Sequence, residues 1–127
     1  MERVCFRMQV DPARLDEYVA AHRAVWPDML EALESAGWRN YSLFADPTGM
    51  VIGYLETDDY EAAQKGMELT EINAAWQQSM SPYFTAGGSF DAGPERIREV
   101  FHLEDQLAAA RAEVHPRVTT ASDPATR

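Results

Sequence analysis

Apolar residues fall at every second position from Val4 to Val10, where V-C-F-R-M-Q-V places Val4, Phe6, Met8 and Val10 on one side. Successive side chains of a strand leave opposite faces, so this alternation predicts a half-buried strand. Asp11-Pro12 follows as an N-cap and a helix-compatible proline, predicting a helix that runs to about Ser35, where Ala36-Gly37 stops it. Leu15, Tyr18, His22, Val25, Trp26, Met29 and Leu33 share one stripe of that helix, an arc of about 100° at the helical repeat. Glu17, Arg23, Glu31 and Glu34 point elsewhere. Pro27 removes a backbone bond and crowds the preceding turn, so a kink is expected there.

The pattern then returns to period two. Trp38 to Ala45 predicts a second strand, with Arg39, Tyr41 and Leu43 on one side and Asn40, Ser42 and Phe44 on the other. Asp46-Pro47-Thr48-Gly49 is a turn by composition, and Met50 to Glu56 a third strand, so these two strands form a hairpin. Thr57-Asp58-Asp59 caps a second helical region; Gly66 interrupts it, and Thr70 onward resumes it with Ile72, Trp76 and Met80 at helical spacing. Pro82, Gly87, Gly88, Gly93 and Pro94 mark a long loop over 82–94. Ile97 to Leu103 reads as a fourth strand. A helix-like, Ala-rich run begins at Glu104, and the Thr/Ser/Pro-containing end is expected to be disordered.

The order strand, helix, strand, strand, helix, strand is that of the α+β ferredoxin-like split βαβ arrangement. It predicts a four-stranded antiparallel sheet with two helices on one face. The other face is left bare, and a second copy of the chain is the expected cover, giving a homodimer. Residues 1–103 read as one such domain and 104–127 as a C-terminal extension.

Length and composition narrow the function classes. The 127 residues suffice for one domain with a core. A formal net charge of −10 opposes binding to phosphate backbones and anionic lipid, but it does not penalise a neutral ligand such as a sugar. No apolar run is long enough to cross a bilayer, and residues 1–10 lack the basic start and continuous apolar stretch of a signal peptide. The single cysteine, Cys5, leaves no intrachain disulfide. Together these favour the cytoplasm, with neither nucleic acid nor membrane as a partner.

Candidate chemistry centres on the first helix. Tyr18 and His22 are four residues apart and therefore neighbours on the helix surface. Histidine is the side chain best suited to exchanging a proton near neutral pH, and a tyrosine hydroxyl one turn away can serve the same ligand. By spacing alone, a satisfied core histidine beside a space-filling tyrosine remains an open reading. Trp76 lies mid-stripe on the second helical region, where an indole packs a core or offers a flat face and one N–H donor to a sugar ring. Gln77 has both donor and acceptor for a hydroxyl, or is merely solvated. Tyr41 shares parity with Leu43 and so faces the helices, where its hydroxyl needs a partner or a ligand. Asn40 points to the other face. Glu56 and Glu99 are candidates to pair with Arg7 or Arg98. His102 and His115 have no neighbour at metal-ligand spacing, so no metal is assigned. No phosphate-binding glycine loop or nucleophile triad can be assembled.

Five segments together resemble the L-rhamnose mutarotase family: F-R-M-Q-V-D-P at Phe6–Pro12, E-Y-x-x-x-H-x-x-x-W-P at Glu17–Pro27, N-Y-S at Asn40–Ser42, W-x-x-x-M at Trp76–Met80 and E-V-F at Glu99–Phe101. The second is the most specific, and the resemblance spans Val4 to about Leu103. It implies a dimeric α+β barrel and a cofactor-free isomerase that opens and recloses the L-rhamnose ring to exchange its α and β anomers. It further implies that His22 is the proton donor and that Tyr18, Tyr41 and Trp76 contact the sugar. The family pattern often has a second tryptophan after the first, where this chain has Gln77. A cofactor-free monooxygenase or haem-degrading enzyme of the same fold class, and a small-ligand-binding module, are the rival readings, because fold alone does not decide function.

Overall fold

In the computed structural model, which describes residues 1–84 and 94–113, the alternation at the N-terminus becomes strand β1 (Glu2–Gln9). Val4 and Phe6 are buried on its inner side, and Val10, just past its end, is buried as well. β2 (Arg39–Ala45) and β3 (Met50–Thr57) form the expected hairpin, and β4 (Glu95–Ile97) lies at the opposite edge. The sheet order is β2-β3-β1-β4 with every pair antiparallel, the ferredoxin-like arrangement. Val51 and Leu55 of β3 join Val4 and Val10 as fully buried side chains. Each such burial contributes about 1.5–3 kcal/mol.

Both helical regions are broken rather than continuous. The first begins with a 3₁₀ turn at Pro12–Arg14, capped by the Asp11 carboxylate, which accepts from the Ala13 N–H. It continues as α1 (Leu15–Ala21), tightens into a second 3₁₀ turn at His22–Ala24, and restarts as α2 (Pro27–Ser35). The expected kink at Pro27 is thus a full interruption. Val25 (ψ 142°) and Trp26 (ψ 132°) are extended; the residue before a proline is driven out of the helical region, and Pro27 then starts a new helix at its first position. Ala36 and Gly37 end α2 as anticipated, with Gly37 at φ +93°, a left-handed C-cap conformation.

The second region divides into α3 (Tyr60–Glu68) and α4 (Glu71–Met80). Gly66 does not interrupt it. The break comes at Leu69-Thr70, where the Thr70 hydroxyl caps α4 by accepting from the Asn73 N–H. Gly66 instead permits close approach, since a Cβ there would lie 3.2 Å from that of Ala36 at the end of α2. The Trp38 indole N–H donates to the Ala63 carbonyl at 3.1 Å, tying the start of β2 to α3.

Three further expectations change. The fourth strand is Glu95–Ile97 rather than Ile97–Leu103, because these three residues pair with Arg7, Phe6 and Cys5. The chain then leaves the sheet, and α5 (Leu103–Glu113) occupies the Ala-rich run. Arg39 lies on the side of Ser42 rather than of Tyr41, because a register shift between Arg39 and Ser42, with Asn40 at φ +50°, inserts extra chain into the edge strand. The Glu99 and Glu56 pairings also differ: Glu99 meets Arg3, Arg7 meets Glu95, and Glu56 accepts from Tyr54 and Asn40. Most of the loop expected at 82–94, and the disorder expected at the C-terminal end, lie outside the described residues. Pro82 is in a short 3₁₀ turn, Ser81–Tyr83.

Candidate active site

A cavity of about 490 Å³ opens between the helix pairs on the covered face of the sheet. Its floor is Phe6 and Met8 of β1 with Tyr41 and Leu43 of β2. Tyr18 and His22 enter from α1 and its C-terminal turn, Met29 and Leu33 from α2, and Trp76 and Gln77 from α4. The cavity therefore gathers all five residues singled out from the sequence: Tyr18, His22, Tyr41, Trp76 and Gln77.

The broken helix fixes the histidine. His22 is the C-cap of α1, and its Nδ1 lies 2.8 Å from the Tyr18 backbone carbonyl. A carbonyl oxygen only accepts, so Nδ1 carries the hydrogen in both charge states of the ring. Proton exchange with a ligand then passes through Nε2 alone. The ring is held on two further sides, with Tyr18 at 4.3 Å between centroids and Trp76 edge-on at 5.4 Å. Trp26, released from helical geometry by Pro27, meets the other side of this arrangement at 5.0 Å from Trp76.

Tyr18 is buried, and its phenol is pushed up to about 12 by desolvation. Burial likewise raises Tyr41, with smaller contributions from Tyr18 and Tyr60. Both phenols stay protonated near neutral pH. Neither hydroxyl takes a protein hydrogen bond among the described residues, so both remain available to hydroxyl groups of a ligand. Trp38 at 4.9 Å and Phe6 at 6.2 Å pack on Tyr41 and hold its ring at the cavity floor. Gln77 is exposed at the rim, its amide donating to Asn73 Oδ1 at 3.2 Å.

Asn40 is not part of the cavity; its amide donates to Glu56 on the bare face, at 3.3 Å. His102 is also remote, lying 3.4 Å from both Glu104 and Asp105. The cavity adds residues that the sequence reading passed over: Trp38, Gln64, Glu68 and Asn73. A signal for three of them was present. Gln64/Glu68 and Asn73/Gln77 are i,i+4 pairs beside Met67 and Trp76, so they flank the inward stripes of α3 and α4.

Among the described residues, fold and cavity define a ferredoxin-like α+β domain with an aromatic-walled, small-molecule-sized site that holds a histidine of fixed tautomer. The family model described as L-rhamnose mutarotase matches residues 3–103. L-rhamnose mutarotases of Oceanobacillus iheyensis and Bacillus subtilis are each 36% identical over 105 residues, covering 82% of this chain and the whole of those proteins. The crystal structure of an L-rhamnose mutarotase from Formosa agariphila superposes with a TM-score of 0.66 at 22% identity, over 80% of this chain and 98% of that one. The chain belongs to the L-rhamnose mutarotase family.

Proposed function

We propose that this protein is an isomerase that interconverts the α and β anomers of L-rhamnose by acid–base ring opening and closure. The observation that carries the reading is the pinned histidine: within a chain matched to the family over residues 3–103, His22 has one working nitrogen in a cavity rich in aromatic side chains. Ring opening requires a proton delivered to the ring oxygen while the anomeric hydroxyl loses one, and closure reverses both. His22 Nε2 serves the ring oxygen. Tyr18 and Tyr41, kept protonated by burial, hold sugar hydroxyls, and Trp76 presents its indole to the apolar face of the ring. Gln77 contributes an amide at the rim.

Residues 1–103 form the catalytic domain and 104–127 an extension outside it. The family match ends at 103, and no residue of α5 is buried. The enzyme works in the cytoplasm as a homodimer whose copies meet through the bare sheet face. Phe44, 64% exposed, and Ile97, 36% exposed, support that placement. No helix among the described residues is long and apolar enough to cross a membrane.

Saturation-transfer NMR on equilibrated L-rhamnose tests the activity. Added protein is expected to speed α–β exchange, and an unchanged exchange rate removes the mutarotase reading. His22→Ala is expected to lose about 10²–10⁴-fold of the acceleration. A fully active variant would take His22 out of this role while leaving the activity in place.

A further inference from the structure

Ring opening needs two proton-handling groups, and His22 accounts for one. Among the described residues, four titratable side chains line the cavity: Tyr18, His22, Tyr41 and Glu68. The two phenols are held protonated by burial and make poor bases at neutral pH. The remaining polar lining residues, Gln64, Asn73 and Gln77, are amides that do not exchange protons in this range. Among the described residues, Glu68 is thus the one carboxylate on the cavity wall.

Glu68 is the last residue of α3, an end at which the helix dipole disfavours a negative charge. It is exposed, and its side chain has no hydrogen bond or ion pair among the described residues. Lys65, one turn earlier, makes no ion pair with it.

We propose, resting on the mutarotase reading, that Glu68 is the second catalytic residue, the general base that takes the proton of the anomeric hydroxyl. In the opening step, His22 Nε2 gives its proton to the ring oxygen and the C1–O5 bond breaks, its electron pair remaining on O5. The Glu68 carboxylate takes the O1 proton, and the O1–H electron pair becomes the second bond of the C1=O1 aldehyde. The imidazolium–carboxylate pair becomes imidazole and carboxylic acid. After rotation about C1–C2, O5 attacks the other face of C1, His22 recovers the O5 proton and Glu68 returns its proton to O1. Atoms and charge balance with no further reactant.

The two side chains suit these unequal tasks. O5 stays near its place through the cycle, matching a ring pinned by the Tyr18 carbonyl and Trp76. O1 swings with the aldehyde, and a long, exposed, unpaired carboxylate can follow it.

Saturation-transfer NMR on L-rhamnose with wild type and Glu68→Gln, together with sugar affinity by calorimetry and fold by circular dichroism, tests the assignment. The substitution is isosteric at an exposed position, so the fold is expected to be retained. The predicted result is exchange slowed by about 10²-fold or more with affinity within threefold of wild type. Exchange within threefold of wild type, or a slowing matched by an equal loss of affinity, overturns the role of Glu68 while the mutarotase reading stands. A wild type that does not accelerate exchange overturns that reading and this proposal with it.

Discussion

On the helix side of β1, Val4 and Phe6 are buried against the core, whereas Arg3 and Arg7, each one residue away, reach carboxylates on the other side. The covered face is apolar and aromatic, and it encloses the cavity in which His22 is fixed. The bare face mixes ion pairs with exposed Phe44 and half-buried Ile52, which sit opposite each other on β2 and β3. Arg3 bridges Glu99 and Asp105 at 2.8 and 2.7 Å, and Arg7 bridges Glu95 at 2.9 Å. Exposed pairs of this kind contribute little to stability, because solvent and salt screen them. Stability is therefore expected to reside on the covered face, leaving the bare face free to vary its chemistry toward a partner.

The strongest way to break this comparison is to remove a wall of the cavity. Trp76→Ala is expected to cost about 3–5 kcal/mol in chemical denaturation, because Trp76 is both buried and the edge partner of His22 and Trp26. A loss below 1 kcal/mol would mean that the indole is held for ligand contact rather than for packing. Next comes Leu55→Ala, deep on the covered face, at about 2–5 kcal/mol by the same measurement.

A smaller effect is expected at Gly53 on β3. A Cβ there would lie 2.3 Å from Phe6 Cζ, so Gly53→Ala must displace the Phe6 ring. The expected cost is about 1–3 kcal/mol, with weakened sugar binding because Phe6 also floors the cavity. On the bare face, Phe44→Ser is expected to change the stability of the isolated chain by no more than about 0.5 kcal/mol, and, on the homodimer proposed above, to shift sedimentation toward the monomer. A large stability loss without a change in mass would instead place Phe44 in the chain's own core.

The smallest effect concerns α5. Hydrogen bonds from Arg3 hold the Glu99 and Asp105 carboxyls below their ordinary values, against partial desolvation. A depressed carboxyl stabilises the fold above its unfolded pKa, about 4, and that contribution is lost as pH falls through the lower folded value. Amide exchange in α5 should thus be slower at neutral pH than expected from the intrinsic rate, and this protection should fade as pH falls below the ordinary carboxylate range. Asp105→Asn should weaken the pH dependence, leaving the part that Glu99 carries.

Much of the covered face was legible in the sequence. Val4, Phe6, Met8 and Val10 announce their side by alternation alone, and Tyr18, His22 and Trp76 announce theirs by helical spacing. The bulge at Asn40 was not legible, because an inserted residue leaves the local composition unchanged and is revealed only by pairing with β3. The fourth strand was misplaced for a similar reason. Ile97 to Leu103 is the more strand-like run, yet antiparallel pairing with Cys5, Phe6 and Arg7 selects Glu95–Ile97. Glu68 escaped notice because a carboxylate at a helix end looks like solvated surface until α3 and α4 are packed around a common cavity.

The sequence by itself determined the element order, the inward face of β1 and the pairing of Tyr18 with His22 one turn away, since strand and helix repeats are properties of the local backbone. Tertiary structure decided the rest. Pro27 turns a continuous stripe into two helices, bringing Trp26 against Trp76, while the Tyr18 carbonyl in the last turn of α1, which also accepts the His22 backbone N–H, sets the tautomer of His22. Those outcomes depend on contacts between residues some 50 positions apart and on where a helix ends, and neither is encoded in a periodicity.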